Sequence, residues 1–212
     1  MKKINSLLII TSLLVLLFSC TSKQETLPYL GQHDFSTEYV DGELITDTIF
    51  YTIPEFNFVN QDGQEVNKSS VSGKVYIADF FFTSCPTICP KMSKNMLDLS
   101  KHYLNQPNVM FLSHSIDTRN DSVPVLKKYS ERIDAPSNWT FVTGKKDHIF
   151  EIAEKYMVSA SEDEHAPGGV IHSGAFILID KLGRIRAYYD GTKKEEMEKV
   201  YHDIDLLLKE NK

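Results

Sequence analysis

An apolar segment near the middle of this 212-residue chain runs almost directly into a pair of cysteines. Residues 75–82 are apolar except for Asp79, and Cys85 and Cys89 follow shortly after. An apolar run with one interruption is typical of a central strand that is buried on both faces of a parallel or mixed sheet. The sequence therefore predicts a buried strand whose carboxyl end presents two thiols. Sites in α/β sheets gather at that edge.

Strand and helix patterns alternate along the rest of the chain. A hairpin is predicted over residues 56–67, around the turn at Asp62-Gly63, and residues 159–171 are interpreted as a loop. Further strands are predicted over 109–116, 139–142, 175–180 and 185–189, and helices over 90–104, 123–133, 147–157 and 193–209. This order indicates an α/β fold in which helices cover a sheet.

The N-terminus has the features of an export signal. Lys2 and Lys3 precede a nearly unbroken hydrocarbon stretch at residues 7–18, and Cys20 follows a serine. The stretch is short for a membrane span, which needs roughly 20 apolar residues, and a cysteine after a small residue resembles the cleavage site of bacterial lipoproteins. We expect residues 1–19 to be a signal peptide and Cys20 to carry lipid. The alternative is an uncleaved anchor with an incidental cysteine.

Either anchor places the folded part in the cell envelope, outside the cytoplasm and attached to a membrane. Residues 20–50 are expected to form the lipidated tether and an irregular arm, and residues 51–210 the folded domain. Without Lys2 and Lys3 the chain has 21 basic and 29 acidic side chains, a formal charge of −8. An acidic chain of this kind lacks the basic stripe that nucleic-acid binding requires, so no nucleic-acid partner is expected.

The two cysteines can exchange with disulfides, form a structural bridge or bind a soft metal. A helix that begins around Pro86 or Thr87 would place Cys85 at its cap and Cys89 one turn later. Residues four apart on a helix are neighbours, and a helix N-terminus lowers thiol pKa values. Because exported domains tolerate disulfides, the cysteines alone leave these alternatives open.

The spacing differs from that of thioredoxin-type redox catalysts, which use Cys-x-x-Cys. Those proteins also place a proline directly before the strand that faces the motif, whereas this chain has His172 there and no proline nearer than Pro167. Two thiolates and one imidazole would suit Cu(I), and one more ligand would allow Zn(II) or Cu(II). The histidine therefore favours a metal site, with an incidental polar residue as the alternative.

Seven histidines compete for the ligand role. His172 is preferred because it precedes an apolar strand, and His165, in the acidic part of the 159–171 loop, is the main competitor. His114 falls inside a predicted strand and is interpreted as a core group whose hydrogen bonds are satisfied. The remaining four fall in the arm or at helix positions that look exposed to solvent, namely His33, His102, His148 and His202.

Three segments together resemble the Sco/SenC family. They are residues 82–90, with Cys-Pro-x-x-Cys-Pro, residues 115–121, with Ser-Ile-Asp and a later Asp, and residues 171–180, with Ile-His-Ser before a Leu-Ile-Asp strand. The resemblance covers about residues 52–208. It implies a thioredoxin-like fold with a central mixed sheet, flanking helices and an N-terminal β-hairpin extension. It also implies a membrane-tethered protein that serves the dinuclear copper site of cytochrome c oxidase.

Carried over to this sequence, the resemblance implies that Cys85, Cys89 and His172 bind copper, as Cu(I) or Cu(II). Asp117 matches an acidic residue of the family near the site, for which we expect a supporting or partner-docking role. Thr118 departs from the proline that commonly follows this Asp. The implied partner is the copper-accepting subunit of a terminal oxidase. A thiol-disulfide reductase that acts on that partner through Cys85 and Cys89 is the alternative, and a peroxide-reducing role is a weaker one.

Overall fold

The computed structural model describes residues 25–163 and 170–210. Strands and helices alternate from residue 65 to residue 155, with runs of strands before and after. The strands are β1 (Asp34–Val40), β2 (Glu43–Ile49), β3 (Asn57–Asn60), β4 (Glu65–Asn67), β5 (Val75–Phe81), β6 (Val109–Ser115), β7 (Trp139–Thr143), β8 (Ala160–Glu162), β9 (Val170–His172), β10 (Ala175–Ile179) and β11 (Ile185–Asp190). The helices are α1 (Lys68–Val71), α2 (Cys89–His102), α3 (Val123–Arg132), α4 (Lys146–Lys155) and α5 (Met197–Lys209), with a 3₁₀ turn at Lys194–Glu196 before α5.

The apolar segment before the cysteines forms β5, and every residue of β5 is buried. β5 is an inner strand of a seven-stranded mixed sheet with the order β11-β10-β5-β6-β7-β3-β4. β5, β6 and β7 are parallel to one another, and the outer strands pair antiparallel. The prediction of a mixed sheet around a fully buried central strand is confirmed. Its carboxyl edge carries the loop with Cys85.

The helices cover the sheet through apolar stripes at helical spacing. α2 buries Met92, Met96 and Leu99, and α5 buries Val200 and Ile204. Helices and strands agree with the sequence prediction to within one or two residues at most ends, and the 56–67 hairpin is confirmed as β3 and β4 at one edge of the main sheet. Among the described residues, no helix has both the length and the apolar character needed to cross a membrane.

The prediction of an irregular N-terminal arm is wrong, because β1 and β2 form a regular antiparallel ribbon there. Asp41 and Gly42 occupy the turn with φ values of 50° and 84°. Positive φ at both central residues is the conformation that an Asp-Gly hairpin turn supplies. All fourteen residues of the two strands are exposed to solvent. The sequence therefore carries a local signal for this hairpin at residues 41–42.

The prediction of a loop over residues 159–171 is wrong at both of its described ends, which contain short strands. β8 and β9 pair antiparallel within it, with Ala160 opposite His172 and Glu162 opposite Val170. Short strands of three residues leave almost no periodic signal in a sequence, so the pattern could not reveal them. The pairing gives His172 a fixed backbone partner.

A buried arginine fixes the point where the chain enters the fold. Arg186 is only 1% exposed, and its guanidinium forms two hydrogen bonds of 2.7 and 2.8 Å with the carboxylate of Glu210 and one of 3.1 Å with Asp180. The same guanidinium donates to the carbonyl oxygens of Leu27 and Pro28 at 2.6 and 3.0 Å. Because a buried guanidinium must be fully paired, these contacts hold the first described residues against β11.

Candidate metal centre

Cys85, Cys89 and His172 converge at the carboxyl edge of the sheet. The two sulfur atoms and a ring nitrogen of His172 all lie within 4.8 Å of one another, and all three residues are buried. Both cysteines are free thiols. Among the described residues this is the one group of three or more side chains of metal-ligand type at such spacing. The sequence prediction that these three residues meet is confirmed, while their role as ligands stays a prediction.

The loop that carries Cys85 is tied to the ends of two neighbouring strands. The N–H of Cys85 donates to the carbonyl of Phe82 at 3.2 Å. Thr83 donates to the buried carboxylate of Asp121 through its N–H at 3.0 Å and its hydroxyl at 2.5 Å, and Ser115 donates to the same carboxylate at 2.6 Å. A buried carboxylate that accepts three hydrogen bonds is a rigid anchor. Cys85 is therefore presented by a fixed turn.

The helix after the motif agrees with the predicted 90–104 stripe but begins later than the start at Pro86 or Thr87 considered for the two thiols. α2 starts at Cys89, Ile88 is its N-cap, and Pro90 lies in the first turn. Proline has no N–H to bond the carbonyl four residues earlier, so Pro90 fits only in the first turn of a helix. A start at Pro86 would have placed Pro90 too far inside. Cys85 is consequently in the preceding loop, and Cys89 is the first helical residue.

His172 is held by backbone pairing on both sides. It is the last residue of β9, and the N–H of Ser173 donates to the carbonyl of Ser159 at 3.1 Å. Two residues later the carbonyl of Gly174 accepts from the N–H of Gly191 at 2.7 Å, which ties the segment to the end of β11. The ring is also packed edge-on against Phe82 at 5.9 Å between centroids. These contacts aim the imidazole at the cysteines.

The hydrogen bonds of the ring define its tautomer. Nδ1 of His172 lies 3.0 Å from the carbonyl oxygen of Ser173. A carbonyl only accepts, so Nδ1 carries the proton in the neutral ring and Nε2 keeps its lone pair. Nε2 lies 3.4 Å from Sγ of Cys89. A ring whose outer nitrogen is fixed by a carbonyl and whose inner nitrogen faces two sulfurs is oriented as metal-binding histidines are.

The two thiols differ in acidity. Burial raises the pKa of the Cys85 thiol, but hydrogen bonds from the backbone of Cys89 and Thr87 and from their side chains outweigh it, and the net pKa is lowered. Burial raises the pKa of Cys89 well above its ordinary value, and the neighbouring Cys85 and Asp79 raise it further. Burial also lowers the pKa of His172 against the opposing hydrogen bond to Ser173. The imidazole is therefore neutral at neutral pH and free to act as a ligand.

The other predicted site residues lie away from the Cys–Cys–His group or outside the described residues. Asp117 is buried just beyond the end of β6, where its carboxylate accepts from Nδ2 and N–H of Asn120 at 2.8 and 3.3 Å. It is not a member of the Cys–Cys–His group, and its supporting role stays a prediction. Cys20, with the whole predicted signal, and His165 lie outside the described residues.

A buried polar cluster behind the site was missed by the sequence analysis. Ser113 donates to Asp79 at 2.5 Å and accepts from the indole N–H of Trp139 at 2.8 Å. Burial raises the pKa of Asp79 to about 7 although the bond from Ser113 lowers it. The one signal in the sequence was the carboxylate that interrupts residues 75–82.

His114 neighbours this cluster, and the prediction that its hydrogen bonds are satisfied is wrong. It is buried as expected, and its Nδ1 lies 3.3 Å from the carbonyl of Asp79. Its Nε2 has no hydrogen-bond partner, so the ring is only half satisfied. Stacking on Phe80 at 4.9 Å between centroids surrounds it with aromatic groups, and burial lowers its pKa to about 4.

Comparison with known proteins places this geometry in a family. The SCO1/SenC family model matches residues 47–209. Among solved structures, a SCO1/SenC family lipoprotein from Bacillus anthracis is 32% identical, with a TM-score of 0.69 over 75% of this chain and 96% of that one. BsSco, described as a member of the Sco family of cytochrome c oxidase assembly proteins, is 33% identical, with a TM-score of 0.66 over 76% and 95% of the two chains.

A third structure was solved with the metal in place. Copper-bound yeast Sco1 is 25% identical and has a TM-score of 0.60 over 73% of this chain and 88% of that one. These likenesses confirm the predicted thioredoxin-like α/β fold. The family model covers well over half of the sequence. The chain therefore belongs to the SCO1/SenC family.

Proposed function

We propose that this protein is a membrane-tethered copper carrier that supplies the dinuclear copper site of cytochrome c oxidase. Sco-family proteins take part in the assembly of that oxidase. The observation that supports the proposal for this chain is the buried group of two free thiols and one imidazole within 4.8 Å. Thiolate and imidazole donors are the set that copper prefers, whereas Ca²⁺ and Mg²⁺ require oxygen donors.

Each residue of the group has a distinct part in holding the ion. Cys85, whose pKa is lowered, offers a thiolate first. Cys89, whose pKa is raised, gives up its proton when the ion binds, so binding releases protons and weakens in acid. His172 offers the lone pair on Nε2 without losing a proton, because Nδ1 already donates to Ser173. The set fits Cu(I), and an additional ligand would suit Cu(II).

Release to a partner begins at Cys85 in this proposal. Cys85 is 9% exposed, whereas Cys89 is 2% exposed. A copper-accepting subunit that offers its own thiols meets Cys85 first and takes the ion by stepwise ligand exchange. Cys89 and His172 then release the ion as the partner's ligands replace them.

The tether would attach at the end of the domain opposite the site. Arg186 binds the carbonyl of Leu27 near the start of β11. There Ile185 pairs with Ile179 of β10, and Ile179 pairs with Tyr76 at the amino end of β5. Lipid on Cys20 would be seven residues from Leu27, a reach of about 25 Å. The metal group lies at the other end of β5 and would face away from the membrane. The relative from Bacillus anthracis is itself described as a lipoprotein.

The ligand set is tested by copper loading under reducing conditions with X-ray absorption at the copper edge. The expected shell has two sulfur atoms and one nitrogen, and His172→Ala should lose the nitrogen and weaken binding. His148→Ala removes an exposed histidine and serves as the matched control. Unchanged stoichiometry and an unchanged shell in His172→Ala would remove the histidine from the site.

Thiol-disulfide reduction is a second candidate function, and the unequal thiols favour it. A more acidic, more exposed Cys85 next to a buried Cys89 is the arrangement of an attacking and a resolving thiol. The test is reduction of a disulfide in the copper-receiving protein by metal-free carrier. If His172→Ala restores oxidase assembly in cells as well as the wild type, while Cys85→Ser abolishes it, reduction is the physiological task.

A further inference from the structure

A groove of about 350 Å³ opens beside the metal group, between α2 and α3. Cys85 and Cys89 both line it, and His172 does not. An incoming chain in this groove can therefore reach Cys85 and Cys89 without displacing the imidazole first. Leu97 and Ile133, both half-buried, supply apolar contact surface further along.

The charge of the groove is opposite to that of the protein as a whole. Lys94 and Arg132 border it, and none of the residues that line it is acidic. No ion pair among the described residues neutralises either side chain. The formal net charge of the whole chain is −6. Two unneutralised cations beside a reactive thiol on an acidic protein create a local positive field that selects what approaches.

Arg132, one of these two cations, is also held in place. The guanidinium of Arg132 lies 5.0 Å from the centroid of the Tyr129 ring, and the Tyr129 hydroxyl is 2.6 Å from Oγ of Ser93. Tyr129 itself is buried. An arginine whose charge lies over a fixed aromatic ring is held beside the groove, where its N–H groups can pair with a carboxylate.

We infer that this groove receives an extended acidic segment of the copper-accepting protein, the segment that carries the receiving thiols. A carboxylate of that segment pairs with Lys94 or Arg132, an apolar side chain covers Leu97 and Ile133, and a cysteine meets Cys85. The inference rests on the proposed function and adds the chemistry of the partner. Charge complementarity sets the rate of encounter more than the final affinity.

The preference is measured with the full mature chain in its reduced form and three synthetic peptides. Each peptide has one cysteine, carried as a mixed disulfide with thionitrobenzoate, and acidic, glutamine or lysine residues on both sides. The Cys85 thiolate attacks the peptide sulfur, the bond to thionitrobenzoate breaks, and the coloured thiolate leaves. Cys89 then attacks Cys85, forms the Cys85–Cys89 disulfide and releases the peptide as a thiol.

The acidic peptide should react about tenfold faster than the lysine peptide at low salt, and the ratio should fall as salt is added. In the variant with both Lys94→Glu and Arg132→Glu the order of the peptides should reverse. Lys91→Glu changes the same charge on an exposed position of α2 that does not border the groove, and it should keep the wild-type order. An unchanged order in the double variant, or an equal effect of Lys91→Glu, would overturn the inference.

Two parallel measurements test the groove and the proposed copper-carrier function separately. Copper stoichiometry of the same proteins tests the carrier function. A wild-type protein that binds no copper would refute that function, whatever the peptides show. Sedimentation of the wild type tests another occupant of the groove. A dimer that dissociates in the Lys94→Glu variant would assign the groove to a second copy of this chain and would refute an acceptor segment as its occupant.

Discussion

Asp79→Asn should change how the stability of this protein depends on pH. Asp79 is 3% exposed, and burial raises the pKa of its carboxyl from 3.8 to about 7. The shift of about three pKa units corresponds to about 4 kcal/mol between the two protonation states. An asparagine oxygen can accept the same hydrogen bond from Ser113. The substitution therefore removes a titrating group while keeping its contact.

The sign follows from the protons bound in each state. Because the pKa of Asp79 is raised on folding, its contribution to stability is greatest below pH 3.8 and is lost as pH rises through about 7. Burial lowers the pKa of His114 from 6.5 to about 4, so its contribution is present above pH 6.5 and is lost as pH falls through about 4. Between pH 4 and pH 6.5 the two contributions oppose each other and nearly cancel.

In Asp79→Asn only the histidine contribution remains. The free energy of unfolding should rise by about 3 kcal/mol from pH 4 to pH 6.5 relative to the wild type, and the difference between the two proteins should reach about 4 kcal/mol near pH 7. Urea unfolding of the reduced, metal-free proteins at five or six pH values measures this difference, in which all unrelated groups cancel. Glu131→Gln, an exposed carboxylate on α3, is the control and should give a curve parallel to the wild type.

Parallel curves for Asp79→Asn and the wild type would refute the reasoning. They would mean that Asp79 is ionised in the folded protein at acid pH, and that water or another donor compensates its burial. A curve that diverges in the opposite direction would show that the carboxylate is stabilised by folding.

Three further outcomes are expected. Iodoacetamide should modify Cys85 faster than Cys89 in the metal-free protein, because the pKa of Cys85 is lowered and its side chain is more exposed. Peptide mass spectrometry measures the ratio of the two modification rates, and equal rates would contradict the assignment of Cys85 as the more reactive thiol. Arg186→Met should lower the free energy of unfolding by about 3 kcal/mol, since Glu210 loses its buried partner while Asp180 keeps Arg184, and a loss below 1 kcal/mol in urea unfolding would exclude that role. Gly191→Ala should cost about 1–3 kcal/mol in the same assay, because its Cβ would lie 2.6 Å from the Phe176 ring, and an unchanged midpoint would show that the ring moves freely.

The spacing of apolar residues along the sequence predicts much of the fold. The run at residues 75–82 had too few polar residues for an exposed strand, and it became the central strand β5. Helical stripes such as the one over residues 90–104 located the helices, because burial against a sheet requires one apolar face. Two of the wrong predictions nevertheless have local signals in the sequence. Pro90 sets the start of α2, and the turn at Asp41-Gly42 closes the β1–β2 ribbon.

For the metal group, too, part was predictable from the sequence and part was not. The sequence by itself determined that two thiols follow a buried strand, and that a histidine stands where a redox catalyst of this fold keeps its proline. Only the tertiary structure brought His172 to the sulfur atoms, through the β8–β9 pairing and the bond that fixes its tautomer. Pairing between residues far apart in the chain depends on how distant segments pack, and no local periodicity encodes it.

The environment of each group was likewise decided by packing alone. The acidity of Cys85, the raised pKa of Asp79 and the unpartnered nitrogen of His114 all arise from burial and from neighbouring groups in the fold. Residue type gives only the ordinary pKa, whereas desolvation and hydrogen bonds depend on the completed fold. Sequence chemistry thus named the donors, and the fold fixed their distances, protonation and the face from which a partner reaches them.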